Sequence, residues 1–292
     1  MVGPGGSEVL SQMHLEGNLE TALGLLECSG CRQGSLDMVG DDTAGGRGLR
    51  CKECEQFFPY RAGILDMLGE SEQQFTLAQK SFQASMLVKA YACIRDPLAL
   101  FVAGYTFNQE VQKVEQALDL RPSDTVLDVA CGHGNFTAAI ARRVKPGTVL
   151  GLDISGPMLE EAVAKMHRHG PDNVVLVRGD VHNLPFGSGT IAKVNCSGGF
   201  HQFPDLHKAI TNIYRVLSPG GLFSGSSFAQ SRSRLNRRIQ DLIESNTDLH
   251  FLDLATLGEN MTAAGFAAYG SARARWFGYF RARKPAAPSE VA

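Results

Sequence analysis

The chain has 292 residues, 43% of them hydrophobic, with 28 basic against 30 acidic side chains and a net charge of −2. That length suits one large domain or a domain with an appendage, and the apolar share suffices for a full core. The near-neutral balance excludes a global attraction to nucleic acid or to an anionic membrane, and no apolar run approaches the ~20 residues of a membrane span.

Residues 1–26 begin Gly-rich and continue with Leu15, Leu19, Leu23 and Leu26 at spacings of three or four, which fits a short helix. Two Cys-x-x-Cys pairs follow, Cys28 with Cys31 and Cys51 with Cys54. Each pair forms a tight knuckle with two sulfurs on one side of the backbone, and two such pairs match a four-thiolate zinc site. The segment between them, 32–50, is too polar and Gly-rich to build its own core, so the metal would supply folding energy. Four thiolates leave no position for water, which makes such a zinc structural. Two local redox pairs, or four free thiols, are the competing readings. Seven cysteines without a basic-then-apolar leader point to a reducing, cytoplasmic setting. Segment 70–120 then reads as helices, interrupted at Pro97.

The stretch Thr125–Asp153 organises the rest. The apolar run Val126–Val129 ends in the turn Ala130-Cys131-Gly132-His133-Gly134; a helical segment covers Phe136–Val144, and a second apolar run, Val149–Leu152, ends in Asp153. This is strand, glycine turn, helix, strand, acid. Gly132 and Gly134 lack a Cβ, so the turn can be tight and the backbone can approach a ligand closely. An acid closing the second strand can accept hydrogen bonds from two ribose hydroxyls. Ala130 stands where a dinucleotide fingerprint has its first glycine, and Asp128 lies inside the first strand. A carboxylate there would repel a pyrophosphate but could hold the ammonium of an amino acid. Asp128 and Asp153 together therefore suit S-adenosylmethionine better than NAD.

Downstream, the spacing predicts a helix over 157–169, a strand over 173–178 ending in Gly179-Asp180, and a strand over 191–196. A helix over 206–217, a turn at Pro219-Gly220-Gly221 and a strand over 222–228 follow. A helix covers 231–246, a strand-loop-helix 252–266, and a last strand 274–282. Arg232, Arg234, Arg237 and Arg238 sit on the 231–246 helix, as an anion or RNA contact or as a solvated face.

DVACGHGNFT, GLD, Gly179-Asp180 and RVLSPGG stand in order over about 100 residues, and in this the chain resembles the class I S-adenosylmethionine-dependent methyltransferases, of the type 11-like kind. The resemblance implies an α/β fold: a Rossmann-like seven-stranded sheet with helices on both faces, here preceded by a small four-cysteine zinc ribbon and a helical cap. The ribbon and its tail FFPYRAGILDML resemble those of 23S rRNA guanine-N1 methyltransferases and of uncharacterised plastid and bacterial methyltransferases. The units expected are an N-terminal segment 1–26, the ribbon 27–68, a substrate-covering cap 69–120, the methyltransferase domain 121–286 and a tail 287–292.

The same resemblance implies a cofactor site of Asp128, Ala130, Gly132, Gly134, Asp153, Ile154, Met158, Asp180, Val181 and Asn195. Asp180 would meet the adenine amino group and Met158 its ring, unless Met158 is a core residue. Phe101, Tyr105 and Phe107 of the cap, with Phe200, would line a substrate pocket or simply pack. The loop Asn195–Asp205 lies beyond a strand end, where ligands of open α/β sheets bind. Its His201 is the candidate general base, or a residue that holds the loop.

Three functions compete: methyl transfer to a small lipophilic or aromatic metabolite, methylation of an RNA base, and a repurposed fold that keeps its cofactor. Charge opposes RNA. From Glu27 to Glu55 the acids Glu27, Asp37, Asp41, Asp42, Glu53 and Glu55 outnumber Arg32, Arg47, Arg50 and Lys52. The expected partner is a small molecule, without nucleic acid and without a membrane span.

Overall fold

The computed structural model describes residues 18–40, 47–68, 104–247 and 250–287. Phe101 and most of the expected cap lie outside the described residues. In chain order the strands are β1 (Leu36–Val39), β2 (Gly48–Cys51), β3 (Phe57–Arg61), β4 (Ile64–Asp66), β5 (Val126–Val129), β6 (Val149–Asp153), β7 (Val174–Arg178), β8 (Ile191–Ser197), β9 (Leu217–Phe228), β10 (Ala267–Ala274) and β11 (Phe277–Arg283). The helices are α1 (Phe107–Leu118), α2 (Asn135–Val144), α3 (Gly156–His169), α4 (Leu206–Val216), α5 (Arg234–Asn246) and α6 (Leu254–Ala263).

β5, β6 and β7 are near-continuous apolar runs because they are covered on both faces, as parallel strands must be. Alternation sends successive residues to opposite faces. Val126, Val149, Val174 and Leu176 pack with α1, α2 and α3. Leu127, Leu150, Val175 and Val177 pack with α4 and α6. Several helices start where the sequence supplies a side-chain cap. Thr106 and Gln109 form a capping box on α1, Ser155 caps α3 ahead of Pro157, and Asp205 caps α4.

The sheet runs β1-β2-β3-β4-β7-β6-β5-β8-β9-β11-β10. Strands β4 to β9 in this row are parallel, and β11 is antiparallel to both β9 and β10. From β7 to β10 there are the seven expected strands, but the whole sheet has eleven. The other four come from residues 36–66: β4 pairs in parallel with β7, Ile64 opposite Leu176, and so prolongs the sheet at an edge that would otherwise be bare. The expected Pro219-Gly220-Gly221 turn is an irregularity within β9, where Ile191 faces Leu217 and Lys193 already faces Leu222. The single last strand expected over 274–282 is one arm of a hairpin, β10–β11.

Order reverses at β5, with β6 on one side and β8 on the other. A crevice for ligand opens at such a switch point, beyond the carboxyl ends of the strands.

Candidate active site and metal centre

At the end of β5 the backbone turns sharply. Ala130 is left-handed at φ 53°, and Gly132 and Gly134 follow at 54° and 76°. A Cβ on Gly134 would press on Met166 Cε at 3.0 Å and Ala162 Cβ at 3.1 Å, so the glycine lets α2 close on α3. A Cβ on Gly132 would meet only Met158 Sδ, at 3.8 Å, which leaves this side of the turn open to a ligand.

Asp128, within β5 just before the turn, is buried. It is 2% exposed, and both of its oxygens are engaged: Thr137 Oγ1 donates to Oδ2 at 2.6 Å and Asn195 Nδ2 to Oδ1 at 2.7 Å. Ser197 Oγ in turn donates to Asn195 Oδ1 at 2.9 Å. Burial pushes the Asp128 carboxyl up to about 6, against the pull of the Thr137 and Asn195 hydrogen bonds. Asp128 and the buried Asn195 thus tie the tips of β5 and β8 to α2. Each oxygen of the carboxylate expected to hold an ammonium therefore already accepts one hydrogen bond inside the protein.

Asp153 lies at the turn itself. Gly132 N–H donates to its Oδ2 at 2.7 Å and Ser155 N–H to its Oδ1 at 2.9 Å. Burial raises its carboxyl, and the backbone donors at Ser155, Gly132 and Ile154 oppose that rise. Met158 sits buried in the first turn of α3, while Ile154 stays half-buried and offers its carbonyl to Arg178 Nε at 3.3 Å. Asp180 caps the short turn Val181–Asn183, accepting from His182 N–H at 2.9 Å and pairing with His182 Nδ1 at 2.7 Å. Burial acts to raise Asp180, but the His182 contacts outweigh it and hold the carboxyl below its ordinary range.

The proposed acceptor residues separate. Tyr105 meets Tyr279 edge-on at 6.1 Å, with Lys113 Nζ over both rings at 4.3 and 5.3 Å. These side chains line a cavity of ≈ 130 Å³ together with Ser197, Ser224 and Ser226. Among the described residues Ser224 Oγ there is buried without a hydrogen-bond partner. Phe107 packs instead on Phe136, centroids 5.3 Å apart. Phe200 is 1% exposed and enclosed by Phe203, Phe223 and Phe280. It is a core residue, and the expectation that it lines a substrate pocket is corrected. His201 is buried between Ser227 Oγ, 3.2 Å from its Nδ1, and the Phe228 ring at 4.9 Å. Burial, with His250 nearby, lowers its pKa to about 4.

Thr137, Ser197, His182 and Lys113 escape a sequence reading. Thr137 alone leaves a trace there, as a polar β-branched residue within an apolar helix face.

Cys28, Cys31, Cys51 and Cys54 bring their sulfurs within 4.8 Å of one another. The Cys28–Cys54 and Cys31–Cys51 separations are both 3.6 Å. A tetrahedral zinc with sulfur bonds of about 2.3 Å has edges of about 3.8 Å, so this donor set fits a zinc ribbon.

Residues 126–221 match the family described as Methyltransferase domain. The chain is 44% identical over 97 residues to a demethylmenaquinone methyltransferase of Lactiplantibacillus plantarum, a match covering 32% of this chain and 41% of that protein. It is 38% identical over 112 residues to the Staphylococcus aureus (strain JH9) protein of the same name, covering 38% and 46%. The chain thus spans less than half the length of these relatives. Among solved structures, a phosphoethanolamine N-methyltransferase 2 of Haemonchus contortus, in complex with S-adenosyl-L-methionine, superposes with TM-score 0.59 at 16% identity, over 69% of this chain and 57% of that one. Residues 126–221 thus carry a methyltransferase domain, on a fold shared with a methyltransferase solved with S-adenosyl-L-methionine.

Proposed function

We propose that this protein transfers a methyl group from S-adenosylmethionine to a small lipophilic or aromatic acceptor. One observation carries the reading: Asp153, fixed by two backbone N–H groups at a strand end, borders the open side of the Gly132 turn. A carboxylate so held can take ribose hydroxyls without reorganising. Ala130, Gly132 and Gly134 shape the turn, while Asp180 and the Val181 backbone face the adenine edge, with Ile154 and Met158 beside its ring. Asp128 and Asn195, hydrogen-bonded to each other and to Thr137 and Ser197, hold the strand ends that carry these groups.

The cofactor, when bound, supplies a methyl group on a sulfonium already activated for displacement. The chain's part is alignment and exclusion of water. The cavity of Tyr105, Lys113 and Tyr279 suits the ring of an aromatic acceptor. That relatives of the 126–221 region are named for demethylmenaquinone supports the acceptor class. With its pKa lowered to about 4 by burial, His201 is a weak proton acceptor, and we assign it to holding its loop through Ser227 rather than to base catalysis. Cys28, Cys31, Cys51 and Cys54 hold a structural zinc. An RNA acceptor is disfavoured by the acidic excess between Glu27 and Glu55.

Calorimetric titration with S-adenosylhomocysteine tests the site. Asp153→Ala removes a charged acceptor of two hydroxyls and should weaken binding about tenfold or more. Unchanged affinity would refute the assignment. Transfer of labelled methyl to a quinol-type acceptor, and none to RNA, tests the acceptor class.

A further inference from the structure

Among the described residues, the large apolar side chains left exposed are Leu235, Ile239 and Leu242, at 69%, 45% and 66%, and all three lie on α5. At about 100° per residue they fall within a sector of roughly 60°, a single stripe about 10 Å long. The inward face of the same helix is polar. Gln240 is fully buried, taking Ser231 N–H at 2.7 Å on its Oε1 and donating from Nε2 to the Ala229 carbonyl at 3.1 Å. Glu244 Oε1 accepts from Phe251 N–H at 2.7 Å. A helix that turns its glutamine inward and its leucines outward inverts the usual surface pattern. Packing among the described residues gives no account of that stripe.

The border of the stripe is cationic. Arg234 and Arg238 are exposed and lie along one side of it, and exposed Arg232 precedes the helix. Four arginines stand against Asp241 and Glu244 between 231 and 247, a local charge of +2 in a chain whose total is −2. A nucleic acid would use the arginines and leave the stripe in water. An anionic bilayer uses both, apolar side chains at the acyl boundary and guanidinium groups at the phosphates.

We propose that α5 docks peripherally on an anionic lipid surface, with Leu235, Ile239 and Leu242 inserted and Arg232, Arg234 and Arg238 on lipid phosphates. α5 follows the carboxyl end of β9, which pairs with the β8 tip at Ser197 and Ser226. Docking there sets the candidate site close to the membrane, where a lipophilic acceptor would be taken up. The docking stands on the helix alone; the uptake rests on the function proposed above.

The test is flotation of the full chain with vesicles of phosphatidylcholine alone and of phosphatidylcholine with phosphatidylglycerol. The protein should rise with the anionic vesicles. Partition should fall about tenfold or more in the L235S/I239S/L242S variant and in R234Q/R238Q, both with S-adenosylhomocysteine affinity unchanged. Wild-type protein that stays down with both vesicles overturns the proposal, as does flotation that neither variant reduces. Retention by RNA without flotation overturns it too, as does a dimer that the triple variant separates and that never floats. Failure of the wild type to bind S-adenosylhomocysteine would instead sink the function proposed above and leave the flotation result standing.

Discussion

Asp128 and His201 are two buried titratable residues whose stability effects oppose each other. An unfolded histidine protonates below its ordinary 6.5, whereas folded His201 resists protonation until about 4. The unfolded chain therefore binds more protons in that window, and His201 costs stability as pH falls through it. Asp128 works the other way. Its folded pKa of about 6 exceeds the ordinary 3.8, so acidification below 6 stabilises the fold. His201→Asn removes only the first effect. Between pH 6.5 and 4 the variant should gain about 3 kcal/mol on wild type in urea unfolding. An identical pH dependence in both proteins would show that His201 is not buried as described. The acids at 128, 153 and 180 were legible in the sequence as strand-end carboxylates. What each one touches was not, since Asp128 meets Asn195 through the β5–β8 register, which no local pattern encodes.

At the scale of elements, the ribbon is wired to the turn that carries Asp180. Ser29 Oγ donates to the Met67 carbonyl at 2.9 Å, and the Ser29 carbonyl accepts from Asn183 Nδ2 at 2.9 Å. Arg32, left-handed at φ 56°, donates to Asn183 Oδ1 at 2.9 Å and to Asn212 Oδ1 at 3.2 Å. Asn212 Nδ2 returns a hydrogen bond to the His182 carbonyl at 2.9 Å. On the other side Asp66 pairs with Arg178 at 2.9 Å. On the proposed assignments, a knuckle that lost its metal would loosen these contacts, which predicts that zinc occupancy and cofactor affinity are coupled. Chelation in reducing buffer should release one zinc per chain and weaken S-adenosylhomocysteine binding about fivefold or more. Cys131→Ser, outside the cluster, should leave the metal content intact. Metal-free protein that binds with full affinity would break the coupling. The cysteine spacing announced the knuckles, but β1 to β4 are too short and mixed to read as strands. β10 was missed because AAYGSARA is poor in β-branched and aromatic residues; pairing with β11 overrides that preference.

Across the whole molecule, the units expected at 27–68 and 121–286 share one buried cluster. Leu36, Leu49, Phe58, Leu65 and Met67 of the ribbon belong to the same apolar cluster as Leu127, Leu150 and Val177 of the central strands and Ile213 of α4. Arg215 of α4 reaches back to Glu27 at 2.9 Å and to the Phe186 and Leu184 carbonyls at 2.8 and 2.7 Å. A shared core and a continuous hydrogen-bonded sheet couple the two units, which predicts a single unfolding transition. The chain offers reporters at the two ends of that sheet. The cysteine cluster sits at the β1–β2 end, and the single tryptophan, Trp276, lies in the β10–β11 turn at the other. Heating should therefore release zinc to a colorimetric chelator and shift tryptophan fluorescence at the same midpoint. If the ribbon gave up its metal well before Trp276 responded, the shared core would not be transmitting stability between them, and the ribbon would be an independent module resting against the β7 edge.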